Sequence, residues 1–212
     1  MGFLGEQNRR TIKGVRMMKS VLIAIRPQWV EKIASGQKTI EVRKTAPKEV
    51  PFKAYIYESR NGGHRCKHCN EKDSCYSYAP KNVGCYNGRG KVIGEFICDK
   101  VYPIKNRGSS FSVAGEEQSV TNEIARQSCL YYDDMVSYFG NKDGFGWHIS
   151  DLKIYDKPRE LSEFSRPFSY SGLCFSCKRT SFKKDGNLLC NTKITRPPQS
   201  WMYVEELQEK EE

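Results

Sequence analysis

Apolar residues fall along this chain in short runs set between long polar stretches, and the spacing inside each run predicts an element. Val21-Leu22-Ile23-Ala24-Ile25 is continuous, too short for a typical helix and flanked by polar residues. Residues 20–25 are therefore expected to form a buried strand. Arg26 and Pro27 end it. Pro27 suits a helix start, where its missing N–H costs nothing, and Trp29, Val30 and Ile33 then recur at helical spacing until Ser35-Gly36 stop the pattern. Alternation returns over 39–44, with Ile40 and Val42 on one face and Glu41 and Arg43 on the other. Residues 52–58 read as a third strand and 90–102 as a long fourth, with Gly94 a bend or bulge within it. Residues 128–140 space Leu130, Met135, Val136 and Phe139 as one helix ending at Gly140. Residues 145–155 alternate again, and 200–205 supply a last strand.

Between these elements, 59–89 and 168–196 are rich in cysteine and glycine and poor in aliphatic residues, so both are predicted insertions rather than ordinary turns. Residues 1–18 carry basic charge without periodicity and are expected to be a mobile tail, with Met17 and Met18 as candidates for an internal start. Residues 207–212 form a short charged tail. The domain thus spans 19–206. Short strands with one or two helices at their edges predict an α+β fold built as a small, partly closed β-barrel. Hydrophobic residues are only 38% of the 212, so the expected core is modest.

Charge changes the picture more than size does. Lys and Arg number 35 against 25 Asp and Glu, a net charge of +10 that would attract a phosphate-rich partner. A merely basic surface is the alternative. No stretch is long and apolar enough to span a membrane, and no apolar signal core opens the chain, so a cytoplasmic location is expected. In that reducing compartment nine cysteines point to metal or free thiols rather than disulfides. Cys66 and Cys69 form a C-x-x-C pair that can grip one Zn²⁺, with Cys75 and Cys85 to complete a tetrahedral site and His64 or His68 as substitutes. Cys174 and Cys177 form a second pair with Cys190 nearby, and the two pairs together are a further option. Zinc here would be structural, ordering insertions that lack an apolar core. Free thiols on polar loops are the alternative. Cys98 and Cys129 lie in apolar segments and are expected in the core.

Candidate chemistry gathers at the junction of the first two strands. Glu41 and Arg43 share a strand face. Arg43 offers a planar fork to phosphate, and Glu41 can accept from a base or hold the arginine still. A structural ion pair lining the barrel mouth stands beside that reading, and catalysis behind both. Arg26 ends the first strand and can reach the same cleft. Lys38 falls on the opposite face unless the chain bends, and would act as a base only if burial lowered its pKa. Glu95 is the candidate distal carboxylate, against an exposed strand residue. Lys100, Lys105 and Arg107 form a basic patch, solvated by default and a phosphate contact otherwise. Trp147 and Trp201 are expected in the core, and His148 as a structural histidine.

With those residues in hand, the chain resembles the ASCH family, relatives of the PUA-like β-barrels. The resemblance is carried by Ile25-Arg26-Pro27-x-Trp29, by Gly36-x-Lys38-x-x-Glu41-x-Arg43, by the 90–96 strand Gly-Lys-Val-Ile-Gly-Glu-Phe, by Phe145-Gly-Trp-His148 and by Pro197-Pro-Gln-Ser-Trp201. It spans about 19–206 and is nearest to the compact ASCH proteins of bacteriophages and prophages. The resemblance implies a cleft beside the first helix that accepts RNA or a nucleotide. Some small ASCH proteins are amidohydrolases acting on N4-acetylcytidine, with a lysine, a threonine and a glutamate carrying the chemistry. Lys38 matches that lysine, but Glu41 stands where the nucleophilic threonine is expected, and Thr39 would point to the other face. The expectation is therefore a non-catalytic RNA- or nucleotide-binding module, DNA being possible, with Arg26, Lys38, Glu41 and Arg43 in its pocket. An amidohydrolase using Lys38, Glu41 and Glu95 comes second, and a phage protein binding a host protein third.

Overall fold

The computed structural model describes residues 19–60, 89–167 and 192–207. The tails and most of both cysteine-bearing stretches, including Cys66, Cys69, Cys75, Cys85, Cys174, Cys177 and Cys190, lie outside the described residues. Strand β1 (Lys19–Ile25) buries Val21, Leu22 and Ile23 completely, as an uninterrupted apolar run should when both faces of a sheet are covered. It runs parallel to β3 (Phe52–Glu58), which requires a crossover, and α1 (Pro27–Ala34) and β2 (Ile40–Arg43) make it. Gly36 ends the helix region with φ of +74°, a conformation that costs glycine nothing.

The two long alternating runs each divide into two strands. The expected 90–102 strand is β4 (Val92–Cys98) and β5 (Val101–Asn106), and the expected 145–155 strand is β7 (Gly144–His148) and β8 (Ser150–Arg159). In both, the chain leaves one sheet and enters the other. The corners lie together, joined by the His148 N–H donating to the Lys100 carbonyl at 2.9 Å. Period-two alternation passes through such a corner unbroken, which is why the pattern reads as one strand. Sheet A has the order β8-β4-β3-β1-β9, with β9 at Trp201–Val204, and sheet B the order β2-β7-β5-β6, with β6 at Phe111–Val113. Gly94 sits at the expected irregularity: the β4–β8 register shifts there, and a Cβ would stand 2.5 Å from the Lys153 carbonyl oxygen.

This architecture corrects the barrel expectation. Among the described residues the strands form two open sheets, not a closed barrel, although the α+β class holds. Helices differ too. The expected 128–140 helix is α3 (Tyr132–Phe139), and α2 (Gln118–Ser128) precedes it, with Cys129 at φ +53° breaking the two apart. In α2 only Thr121, Ile124 and Ser128 are buried, too sparse an apolar stripe to stand out in sequence. One core lies between sheet A and α1, around Ile23, Ile33, Phe96 and Trp147. A second lies under α2 and α3, around Ile40, Ile104, Ile124 and Phe139. A third, with Leu22, Tyr55, Phe164 and Ile194, covers the remaining face of sheet A.

Candidate functional site

Pro27 disfavours a helical conformation at the residue before it, and Arg26 is extended (φ −69°, ψ 144°) while its carbonyl accepts the Trp29 and Val30 N–H groups that start α1. The Arg26 side chain is left exposed at the lip of a cavity of about 820 Å³. Trp29 of α1 forms one wall, Asp134, Ser137 and Tyr138 of α3 another, and Pro197, Pro198 and Gln199 reach in from the approach to β9. At the inner end sit Lys38, Glu41 and Arg43.

The sequence pattern placed Lys38 on the far face unless the chain bent, and the chain does bend. Residues 37–39 are not strand. The Lys38 N–H donates to the Lys32 carbonyl at 2.9 Å, and the Thr39 N–H to that of Gln127 at 3.0 Å. Lys38 is thereby turned inward, its side chain 2% exposed, and Nζ donates to the Ser128 carbonyl at 2.6 Å beneath the Trp29 ring. Nζ lies 3.5 Å from Glu41 Oε2, while Glu41 Oε1 receives Arg43 Nη2 at 2.9 Å, and the same Nη2 donates to the Ala24 carbonyl at 2.7 Å. Thr39 is not among the residues lining the cavity.

Two cations and one carboxylate are thus held almost out of water. Burial drives the Lys38 ammonium below the ordinary lysine pKa, with Arg43 adding to the fall and Glu41 opposing it. Lysine is almost never buried this deeply without a reason, and a buried charge cluster contributes little to stability. Arg43 Nε lacks a hydrogen-bond partner among the described residues, and Glu41 Oε2 has only the long 3.5 Å contact with Lys38 Nζ there. Buried polar groups are otherwise nearly always satisfied, so this inner end is where a polar ligand or water is called for.

The remaining candidates lie elsewhere. Glu95 is on sheet A, away from the cavity; it accepts a short hydrogen bond from the Tyr155 hydroxyl and faces Lys53 at 3.6 Å, and Lys53 bonds Glu206 at 2.7 Å. That network ties the end of the described chain to the sheet. Lys100 pairs with Glu116 at 3.6 Å and Lys105 with Asp143 at 2.7 Å, both exposed and neither lining the cavity. Arg107 donates to the Ser112 hydroxyl. His148 bonds Asp99 at 2.6 Å, and this bond holds the Asp99 carboxyl below its usual pKa. Trp147 is fully buried, and Trp201 stacks edge-on against it while donating to Thr45 Oγ1 at 2.9 Å. Among the described residues no group of three or more His, Cys, Asp or Glu side chains could hold a metal, and no helix is long and apolar enough to cross a membrane.

Sequence reasoning missed the α3 wall, since Asp134, Ser137 and Tyr138 carry no motif. The Pro197-Pro198-Gln199 segment did carry one, but without a position.

No protein family matches the chain, and no curated protein does. Among solved structures it is similar to the ASCH protein of Zymomonas mobilis, with a TM-score of 0.45, 16% identity and 89% of each chain covered. Two point variants of that protein match at TM-scores of 0.45 and 0.44 and 16% identity, covering 89% of this chain and 92% and 89% of theirs.

Proposed function

We propose that this chain is a nucleic-acid- or nucleotide-binding module of the ASCH kind, RNA being the expected partner, with the nucleotide held in the cleft between α1 and α3. One observation carries the reading: a single cavity of about 820 Å³ collects Arg26, Lys38, Glu41 and Arg43 around an unsatisfied polar inner end. Two cations against one carboxylate leave the inner end with a surplus of positive charge whenever Lys38 is protonated, and Arg26 adds another at the lip. An anionic ligand with hydrogen-bonding edges suits such a site. The chain's net charge of +10 draws a polyanion towards it. Titration of single-stranded RNA into the full chain at rising salt is the test. Affinity should fall steeply with salt, and no binding of RNA, DNA or mononucleotide would sink the proposal.

A second reading has its own observation. Burial lowers the Lys38 pKa beside a carboxylate, as a general base for amide hydrolysis of an acylated nucleoside requires. Against it, position 41 offers no hydroxyl. Incubation with N4-acetylcytidine, with Lys38→Ala as control, decides between reader and hydrolase: turnover abolished by the substitution favours the enzyme.

Structural zinc on Cys66, Cys69, Cys75 and Cys85, or on Cys174, Cys177 and Cys190, belongs to the same proposal and rests on C-x-x-C spacing. Metal analysis of protein purified without added zinc should find at least one equivalent; a value near zero rejects it. A phage or prophage source and a host-protein partner rest on resemblance alone. Pull-down from host lysate after nuclease treatment tests the partner.

A further inference from the structure

Resting on the nucleotide reading, we infer that the cleft takes a nucleotide from within a single-stranded nucleic acid and stacks the neighbouring base on Tyr138. Two aromatic rings from different helices line the one cavity, Trp29 from α1 and Tyr138 from α3. Trp29 belongs to the inner end, with Lys38 Nζ 5.3 Å from its ring centre. Tyr138 belongs to the mouth. It is 36% exposed, with Lys44 Nζ over its ring at 5.2 Å from the centroid and the Phe139 ring tilted against it.

A ring left open at the rim of a polar cleft is what a second base needs. Stacking on aromatic side chains tolerates any base, because every base has a π-face. Lys44 is exposed and has no carboxylate partner among the described residues, so it can leave the ring for the phosphate beside the stacked base. That exchange is favourable, since base stacking is the stronger contact at an exposed ring. Arg26, also without an ion pair among the described residues, lies on the same rim and offers a second phosphate contact. The one acid of α3 that faces the cavity, Asp134, is engaged: its Oδ2 accepts the Tyr131 N–H at 3.0 Å at the helix start. The phosphates therefore run past Arg26 and Lys44. Bases locked in a duplex cannot reach either ring, so the strand must be single.

The experiment compares the four nucleoside 5′-monophosphates, mixed-sequence RNA and DNA pentamers, and a short duplex, all titrated into the full chain. At least one pentamer should bind roughly tenfold or more tightly than any monophosphate. Tyr138→Ala should weaken pentamer binding by roughly 5- to 150-fold and monophosphate binding by clearly less, so that the pentamer's advantage over the monophosphates shrinks, and Tyr138→Phe should restore that advantage. Lys44→Ala should lower the pentamer's salt dependence by about one phosphate contact. Pentamers that bind no better than monophosphates, an unchanged Tyr138→Ala, or a duplex bound as tightly as a pentamer would each overturn the strand inference and leave the nucleotide reading standing. Failure of every probe would overturn both.

Discussion

Replacing Glu41 and replacing Lys38 should have very unequal consequences for stability, because the buried cluster holds two cations and one carboxylate. Glu41 lies 3.5 Å from Lys38 and 2.9 Å from Arg43. At an effective dielectric of about 20 those contacts correspond to about 5 and about 6 kcal/mol of gross attraction. Glu41→Gln removes both and leaves two like charges facing each other out of water. Lys38 can relieve part of this by losing its proton, and the amide oxygen still accepts, so the net cost should be roughly 3–5 kcal/mol. Lys38→Met removes the surplus cation and leaves a neutral Glu41–Arg43 pair. The Ser128 carbonyl loses its donor, which costs about 1–3 kcal/mol, but relief from burying the ammonium is of similar size. That variant should fall within about 1–2 kcal/mol of wild type.

Urea unfolding at pH 7, followed by tryptophan fluorescence, reads both changes. With a slope of about 1–3 kcal/mol per molar, Glu41→Gln should lower the midpoint by about 1 M or more, and Lys38→Met by far less. The pH dependence supplies the sign. Lys38 has a lower pKa folded than unfolded, so between those values the unfolded chain binds more protons and stability rises with pH, levelling off above the ordinary lysine value of about 10.4. Lys38→Met should lack Lys38's share of that rise. If Lys38→Met proved as damaging as Glu41→Gln, the three charges would be a mutually stabilising structural unit, and the case for a site prepared for a ligand would collapse.

Three further outcomes follow from the same geometry. Arg26→Ala should leave the urea midpoint unchanged, since the side chain is exposed, yet weaken nucleotide binding several-fold; unaltered affinity would remove Arg26 from the site. Gly94→Ala should destabilise by about 1–3 kcal/mol, because its Cβ meets the Lys153 carbonyl rather than a movable side chain, and amide exchange should loosen first along β8. Burial pushes the Cys98 thiol up to about 12, so mass mapping after alkylation at pH 8 should find its peptide modified only once the protein is unfolded.

The sequence was most legible where local chemistry and tertiary position agree. An apolar run, an arginine, a proline and a glycine fix β1, α1 and the turn into β2 almost residue by residue, because each acts through its own backbone preference. Glu41 and Arg43 were readable as a shared face for the same reason. Legibility failed at the sheet corners, since alternation is indifferent to which sheet a strand enters, and the partly closed barrel became two open sheets. It failed again at α2, whose buried face is three residues wide. Lys38 shows the limit most clearly. Its direction depends on the Lys32 and Gln127 carbonyls that bend the chain at 37–39, and the Gln127 bond is invisible without the fold. Lys100 and Lys105 looked as basic as Arg26 in sequence, but only the fold supplies Glu116 and Asp143 to pair them.

Amide chemical-shift mapping of the isotope-labelled chain, titrated with a mixed-sequence RNA pentamer, places a bound nucleotide directly. The perturbed residues should cluster around 24–29, 37–43 and 134–138, with 197–199 joining them. Shifts confined to the surface around Lys100 and Lys105, with the cleft silent, would contradict the assignment of function to Lys38, Glu41 and Arg43.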